Sequence, residues 1–300
     1  MITWVIGAGG LLGRALVRHA GQLYQPGPVP WHDPNQAQET LRLQARGLEA
    51  AAQGGPWRVM WAAGAATTST PREIALKEVL PLQGLLQGLR SALPRGSGVL
   101  FLASSAGGVY AGAASPPFTT ITPPAPLSPY GELKLAQEQA AVGALGDVLP
   151  LVMGRVSNLY GPGQNLDKLQ GLISHLARAS ITRQPVNIFV PLDTTRDYIL
   201  VDDAASAIVR CLNQKRAPGP YTEIIASGRG TTIGQLIRTM NEITKRKVPV
   251  ALGTHASASA QAPDLRLTPS IPLSQITPLP VGMKAVHDDL LARLQRGPVH

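Results

Sequence analysis

A short apolar run that leads directly into a glycine-rich turn constrains the fold of this chain more than any other feature. Residues 2–6 (ITWVI) predict a buried strand. The turn that follows has a G-x-x-G-x-x-G spacing formed by Gly7, Gly10 and Gly13. Such glycines let the main chain approach a pyrophosphate, and the helix that begins near Leu11 and Leu12 offers free N–H groups and a positive dipole end to phosphate. The turn predicts a dinucleotide site, and its alternative is a tight turn in a fold without a cofactor.

Apolar runs of strand length alternate with helical patterns along the rest of the chain. We predict strands at 2–6, 29–32, 57–62, 98–103, 149–154 and 221–226. We predict helices at 10–20, 36–52, 72–91, 129–144, 203–213, 232–245 and 282–296. Such alternation builds a parallel sheet with helices on both faces. The expected fold class is therefore α/β, a Rossmann-type doubly wound parallel sheet.

Composition and charge narrow the possible partners. The chain has 300 residues, a formal net charge of +9 and 44% hydrophobic residues, which is typical of a globular protein. Its Lys and Arg residues are scattered, and 245–247 (KRK) is the only run of three. Because nucleic-acid binding needs clustered basic residues, we expect no nucleic-acid partner, and the excess charge suits an anionic small substrate equally well.

Cysteine and apolar patterns predict the compartment. Cys211 is the only cysteine and lies in an apolar stretch, which predicts a buried inert thiol and a reducing compartment. No basic region precedes the first apolar run, and no uncharged apolar run approaches the roughly 18 residues of a membrane span. We therefore expect no signal peptide, no membrane partner and a cytoplasmic location. The histidines lack ligand spacing, so we expect no metal.

Tyr130 and Lys134 form the first candidate catalytic pair. They are four residues apart in a predicted helix, so their side chains share one face, where an ammonium stabilises a phenolate. Ser104 and Ser105 follow the strand predicted at 98–103, where a hydroxyl can bond the substrate oxygen that a tyrosine deprotonates. Neither serine lies in a G-x-S-x-G elbow, so a hydrolase nucleophile is not expected.

Four segments in order resemble the extended short-chain dehydrogenase/reductase family, specifically its nucleotide-sugar epimerases and dehydratases. Residues 101–110 (FLASSAGGVY) resemble the serine strand of that family, and 130–136 (YGELKLA) resemble its catalytic helix. Residues 155–163 (RVSNLYGPG) are similar to its crossover into the substrate lobe, and 196–203 (RDYILVDD) to its return segment. The resemblance covers most of the chain. It implies a dinucleotide-binding domain at 1–157 with a return segment at 198–226, and a smaller substrate-binding lobe at 158–197 and 227–300.

The resemblance also implies residue roles. Tyr130 would be the base, Lys134 would hold the nicotinamide ribose, and Ser105 or Ser104 would assist. The cofactor would be NAD, contacted by Gly7, Gly10, Leu11, Leu12, Gly13, Asp33, Ala62, Ala63, Gly64, Tyr130 and Lys134.

The substrate side of the site is implied in the same way. Asn158 would contact the sugar nucleotide, and Arg196 and Arg266 would meet its diphosphate, which a guanidinium binds through two parallel charged hydrogen bonds. The alternative for Arg196 is a salt bridge with Asp197 or Asp202. Homodimerisation through two helices per subunit is the family's implied assembly.

Several positions depart from the family pattern. Residues 106–108 (AGG) replace the acid pair of the dehydratases, which disfavours dehydration, and Glu78 stands where the family usually has asparagine. Residues 264–266 match the late arginine segment only loosely. The loop at 112–129 contains six prolines, and it is either a rigid surface connection or a wall of the active site.

The residues expected to bind the adenosine part of the cofactor depart further from the family pattern. Asp33 comes two residues later than the family's ribose-binding acid, and an equal alternative is a turn residue before Pro34. Arg14 follows the last turn glycine and can meet a 2′-phosphate, so NADP is not excluded. The family's third strand has no predicted counterpart between residues 33 and 56.

The sequence therefore predicts an NAD(P)-dependent nucleotide-sugar enzyme, with 4-epimerisation through a transient 4-keto sugar as the favoured reaction. The alternatives are an NADPH-dependent keto-sugar reductase or dehydrogenase and a non-catalytic dinucleotide-binding regulator. The regulator is disfavoured because the chain keeps both Tyr130 and Lys134.

Overall fold

The computed structural model describes residues 1–167, 170–253, 261–272 and 275–296. The strands are β1 Ile2–Ile6, β2 Gln22–Leu23, β3 Trp57–Trp61, β4 Gly98–Ser105, β5 Pro150–Val156, β6 Asn158–Tyr160, β7 Val186–Ile188, β8 Thr195–Leu200, β9 Gly219–Ile225, β10 Gly230–Thr232, β11 Val250–Leu252 and β12 Asp264–Leu265. The helices are α1 Leu11–His19, α2 Pro34–Ala52, α3 Arg72–Leu76, α4 Val79–Ser91, α5 Ala106–Val109, α6 Pro129–Leu145, α7 Leu172–Thr182, α8 Val201–Leu212, α9 Ile233–Thr244 and α10 Leu279–Gln295.

The central sheet has six parallel strands in the order β2-β1-β3-β4-β5-β9. Helices α2, α4 and α6 bury their apolar sides against one face, and α1 and α8 bury theirs against the other. The strand order reverses between β1 and β3, because the chain leaves β1 toward β2 and returns to β3 on the other side. The Rossmann-type doubly wound fold is confirmed, and folds of this kind bind ligands where the strand order reverses, at the carboxyl ends of these strands.

The strand predicted at 29–32 is wrong, because the second strand is β2, a two-residue pairing beside β1. Pro28 precedes the predicted segment and Pro30 lies within it, and each lacks the N–H group that a sheet ladder needs. The stretch between residues 33 and 56 contains helix α2 and no strand. The predicted absence of a third strand is thus confirmed for this stretch, and α2 leads from the segment after β2 to β3.

The helix predicted at 72–91 is interrupted between α3 and α4. A single helix over this range would place Pro81 in its interior, where its ring clashes with the carbonyl of residue 77 and its missing N–H breaks a hydrogen bond. The observed break starts α4 at Val79, so Pro81 falls in the first helical turn, where both costs vanish. The other predicted helices are present within a few residues of their expected bounds.

Smaller sheets and helices α7, α9 and α10 lie beyond the carboxyl ends of the central strands. Strand β8 pairs with β6, β10 and β12, and α7, α9 and α10 pack together around a separate apolar cluster. Residues 168–169, 254–260, 273–274 and 297–300 of the predicted substrate lobe lie outside the described residues. The division into a 1–157 domain and this lobe remains our proposal. Within the described residues, no helix combines the length and apolarity needed to span a bilayer.

Candidate active site

The glycine turn brings β1, β3 and the start of α1 into close contact. A Cβ atom on Gly7, whose φ is +87°, would lie 2.6 Å from the backbone nitrogen of Ala63, and one on Gly13 would overlap the carbonyl oxygen of Gly7. A Cβ on Gly9 would meet no atom within 4 Å, so the outer side of the turn is open. Both close contacts require glycine, and the open side leaves room for a ligand against the main chain.

The N-terminus of α1 is suited to phosphate. Its N-cap, Gly10, has no capping side chain, and its first turn carries no acidic residue. The first N–H groups of a helix lack intrahelical partners, and their dipole favours an anion. These features fit the pyrophosphate of a dinucleotide, with Leu11 and Leu12 supplying backbone amides.

Helix α6 places Tyr130 and Lys134 near the carboxyl ends of the parallel strands, where the glycine turn also lies. The hydroxyl of Ser128 caps the helix by accepting a hydrogen bond from the amide of Gly131 at 3.2 Å. The Lys134 ammonium lies 5.7 Å from the centre of the Tyr130 ring, and donates to the carbonyl of Ala103 at 3.3 Å and to Oε1 of Gln137 at 3.2 Å. An ammonium has three donors, so one remains for a ribose hydroxyl.

The two candidate serines differ in environment. Ser104 is buried, and its hydroxyl donates to Oε1 of Glu138 at 2.6 Å. Ser105 is half-buried and caps α5, accepting from the amide of Gly108 at 3.1 Å. Gly108 in turn packs on Tyr130, since a Cβ there would lie 3.1 Å from two carbons of that ring. This geometry favours Ser105 as the serine that assists Tyr130.

A buried polar network supports this arrangement, and sequence reasoning missed it. Arg155 forms a bidentate pair with Glu138, with Nη2 2.7 Å from Oε2 and Nε 3.1 Å from Oε1, and its Nη1 lies 2.7 Å from the hydroxyl of Tyr110. Burial raises the pKa of Tyr110 above its ordinary value. The available signal was spacing, because Glu138 follows Lys134 by four residues on the same helix side. The network joins α6 to β5 and to the segment after Ser105.

The predicted substrate residue Arg196 lies on β8, and Arg266 lies directly after the neighbouring strand β12. Arg196 in β8 pairs in register with Leu265 of β12, one residue before Arg266. Arg196 is buried, which lowers its pKa, and it donates to the carbonyl of Thr195 at 2.9 Å. Arg266 is half-exposed and pairs with Asp264 at 2.8 Å. The proline-rich loop reaches this place too, because residue 118 pairs with residue 267.

The alternative prediction for Arg196, a salt bridge with Asp197 or Asp202, is wrong. Asp197 accepts hydrogen bonds from the backbone amides of residues 227 and 229, at 2.8 and 3.0 Å, and Asp202 pairs with Arg18 at 2.6 Å. Asn158 donates to the carbonyl of Asp197 at 2.9 Å, which links β6 to β8. The guanidinium of Arg196 therefore has no carboxylate partner on either predicted aspartate.

On the adenosine side, Asp33 is the N-cap of α2, and its Oδ1 accepts from the amides of Asn35 and Gln36. Both bonds use Oδ1. Among the described residues Oδ2 accepts no hydrogen bond, so it can accept one from a ribose hydroxyl. The Arg14 guanidinium already has partners within the protein, since it donates to the carbonyls of Gly9 and Gly163. This arrangement suits NAD. No three His, Cys, Asp or Glu side chains of the described residues group as a metal site.

The comparisons with known proteins identify the class. The model of the NAD dependent epimerase/dehydratase family matches residues 3–225, so the chain belongs to this family of NAD-dependent enzymes. Over 120 residues it is 35% identical to dTDP-L-rhamnose 4-epimerase of Burkholderia thailandensis, a match that covers 39% of this chain and 32% of that protein. Over 154 residues it is 30% identical to dTDP-4-dehydro-6-deoxyglucose reductase of Escherichia coli, covering 50% of this chain and 47% of that protein. The chain thus spans less than half the length of either curated relative.

Among solved structures, the fold is similar to that of a UDP-glucose 4-epimerase from Thermus thermophilus in complex with NAD. The TM-score is 0.75 at 21% sequence identity, and the match covers 100% of both chains. This likeness extends the fold assignment from residues 3–225 to the described residues that follow them.

Proposed function

We propose that this chain is an NAD-dependent nucleotide-sugar 4-epimerase. The proposal rests on the placement of Tyr130 and Lys134 at the start of α6. There they lie beside Ser105, at the carboxyl ends of the parallel strands, where the glycine turn also lies. Residues 106–108 are Ala, Gly and Gly, so this position carries no acid to expel a hydroxyl, which speaks against dehydration.

When bound, NAD supplies the acceptor and later the donor of a hydride at C4 of the sugar. In this mechanism Tyr130 removes the proton of the 4-hydroxyl, and Ser105 donates a hydrogen bond to the same oxygen as its charge develops. Lys134 holds the ribose with its remaining donor and stabilises the phenolate of Tyr130. The 4-keto sugar would turn over in the site, and Tyr130 would return the proton to the C4 oxygen.

The basic residues of the lobe would hold the rest of the substrate. Arg196 on β8 and Arg266 directly after β12 would bind the diphosphate of the sugar nucleotide, and Asn158 would contact the sugar nucleotide from β6. Binding of Arg266 to a diphosphate would require it to exchange its present partner, Asp264.

Replacement of Tyr130 by phenylalanine tests the proposal. The variant should lower kcat about 10²- to 10⁴-fold, the range expected for a positioned general base, and should leave NAD affinity within a few-fold of wild type. Turnover of UDP- and dTDP-sugars is followed by chromatography of the 4-epimers, and NAD affinity by calorimetry. Full turnover by Tyr130→Phe would refute the assignment of the base.

A keto-sugar reductase is the second candidate, favoured by the similarity to the Escherichia coli reductase. The dinucleotide released when the purified protein is denatured separates the two. Near-stoichiometric NAD or NADH indicates a cofactor retained through the cycle, as an epimerase requires. An empty protein that binds NADPH indicates a reductase that exchanges its cofactor.

We further propose a homodimer that works in the cytoplasm. The resemblance implies pairing through two helices per subunit, and α4 and α6 lie side by side and border an open cavity of about 410 Å³ lined by Leu86, Arg90 and Gly143 among others. The single cysteine, Cys211, is buried, as suits a reducing compartment. Sedimentation velocity measures the state of assembly, and a monomer at micromolar concentration would refute the dimer.

A further inference from the structure

Glu78 occupies a position next to the candidate cofactor residues and has an unusual set of contacts. It is the N-cap residue of α4, yet its side chain makes no hydrogen bond to that helix. Its Oε1 instead accepts from two backbone amides of another segment, from Ala65 at 2.8 Å and from Ala66 at 2.7 Å. A short polar side chain at the N-cap ordinarily accepts from the amides of its own helix, whereas this carboxylate accepts from the amides of another segment.

The segment that Glu78 holds follows β3 directly. We call residues 62–66 the cofactor segment, because its first three residues are the proposed dinucleotide contacts Ala62, Ala63 and Gly64. It is tied to β1 at one end, where the amide of Ala62 donates to the carbonyl of Ile6 at 2.8 Å. At its other end the segment is largely exposed. There its amides at Ala65 and Ala66 donate to Glu78, and these two bonds hold the segment in place.

The same carboxylate lies beside Lys134. A Cβ atom on Gly64 would be 3.3 Å from Oε2 of Glu78 and 3.8 Å from Nζ of Lys134, so both charged groups flank this one glycine. Gln137 contacts both residues, since its Oε1 accepts from Lys134 at 3.2 Å and its Nε2 donates to the backbone carbonyl of Glu78 at 3.3 Å. The cofactor segment, the N-terminus of α4 and the catalytic helix thus meet at Glu78.

We propose that Glu78 is a positioning residue that fixes the cofactor segment against Lys134 before NAD binds. One carboxylate oxygen accepts two charge-assisted hydrogen bonds and orders the exposed end of the segment. Ordering the main chain in advance removes an entropic cost that would otherwise accompany NAD binding. An asparagine has one acceptor oxygen on a shorter side chain, so it reaches the two amides less well. The proposal rests on the proposed cofactor site.

Three variants test it: Glu78→Ala removes the acceptor, Glu78→Gln keeps an acceptor oxygen at the same reach, and Glu73→Ala is a matched control at an exposed glutamate of α3. Hydrogen exchange of the protein without added cofactor should show faster exchange of the Ala65 and Ala66 amides in Glu78→Ala only. Calorimetry should show the Kd for NAD raised about tenfold in Glu78→Ala, the effect of losing one to two net hydrogen bonds, and within about threefold of wild type in Glu78→Gln and Glu73→Ala.

Unchanged exchange of the two amides in Glu78→Ala would refute the contact, and unchanged NAD affinity alongside faster exchange would refute its role in binding. Equal losses in Glu78→Gln and Glu78→Ala would also overturn the proposal, because an acceptor oxygen at the same reach would then contribute nothing to NAD binding. If Glu78→Ala does not fold, Glu78→Asn takes its place with the same expected direction. A wild-type protein that binds no NAD would refute the cofactor site itself, and the exchange measurement would still decide the contact.

Discussion

Replacing Glu138 by glutamine should lower the free energy of unfolding by about 3–4 kcal/mol. The carboxylate and the guanidinium of Arg155 are each only 7% exposed, and their two hydrogen bonds are 2.7 and 3.1 Å long. The change leaves the guanidinium buried without its counter-charge, and breaking a buried pair from one side costs about 3–5 kcal/mol. Glutamine keeps one oxygen for the hydroxyl of Ser104, which places the expected loss in the lower part of that range.

Urea unfolding followed by circular dichroism measures this loss, and helix α6 supplies the control. Glu132 on the same helix pairs with Arg72 at 2.6 Å, but these side chains are 42% and 65% exposed. Glu132→Gln should therefore cost less than about 1 kcal/mol. A double variant Glu138→Leu/Arg155→Met should be more stable than Glu138→Gln, because no unpaired buried charge remains. Equal losses for Glu138→Gln and Glu132→Gln would refute the reasoning.

Two further predictions concern the serine pair and a buried carboxyl. Ser105→Ala should lower kcat about 10- to 100-fold with little loss of stability, whereas Ser104→Ala should chiefly destabilise the protein. Steady-state kinetics and urea unfolding of both variants measure these effects. The reverse pattern would mean that Ser104 assists catalysis and Ser105 is structural. Burial raises the pKa of Asp197 despite the amides that bond it, so the native state binds this proton more tightly than the unfolded chain does. The stability of wild type relative to Asp197→Asn should be greatest below about pH 4, should fall as the pH rises through the raised native pKa and should be constant above it; a relative stability that increases with pH would contradict this sign.

The sequence was sufficient for the central strands and insufficient at the edge of the sheet. Runs such as 98–103 are short and apolar on both faces, which is typical of a strand in a covered parallel sheet. Strand β2 has two residues, too few for any periodicity, and exists because Gln22 and Leu23 pair with β1. The segment 29–32 is predicted as a strand, although Pro28 before it and Pro30 within it argue against one.

The site divides in the same way between local and distant contacts. The pairing of Tyr130 with Lys134 is a four-residue spacing on one helix, so the sequence alone predicts it. The choice between the two serines depends on the bond from Ser104 to Glu138, which joins residues 34 positions apart. The bond of Glu138 to Arg155 spans 17 positions. Neither contact has a local signature, because both depend on how β4, β5 and α6 pack.

The two-residue strand β2 has a consequence for how copies of this chain meet. An edge strand normally exposes a row of backbone donors and acceptors on which another chain can build a further strand. Here that row ends after Leu23, and Pro26, Pro28 and Pro30 follow, none of which has an N–H to offer. The opposite edge, β9, is occupied from within, since Ile224 exchanges hydrogen bonds with Ser270. Within the described residues, uncontrolled strand addition, the first step toward aggregation, is thus discouraged at both sides of the central sheet, as suits the association through helices that we propose.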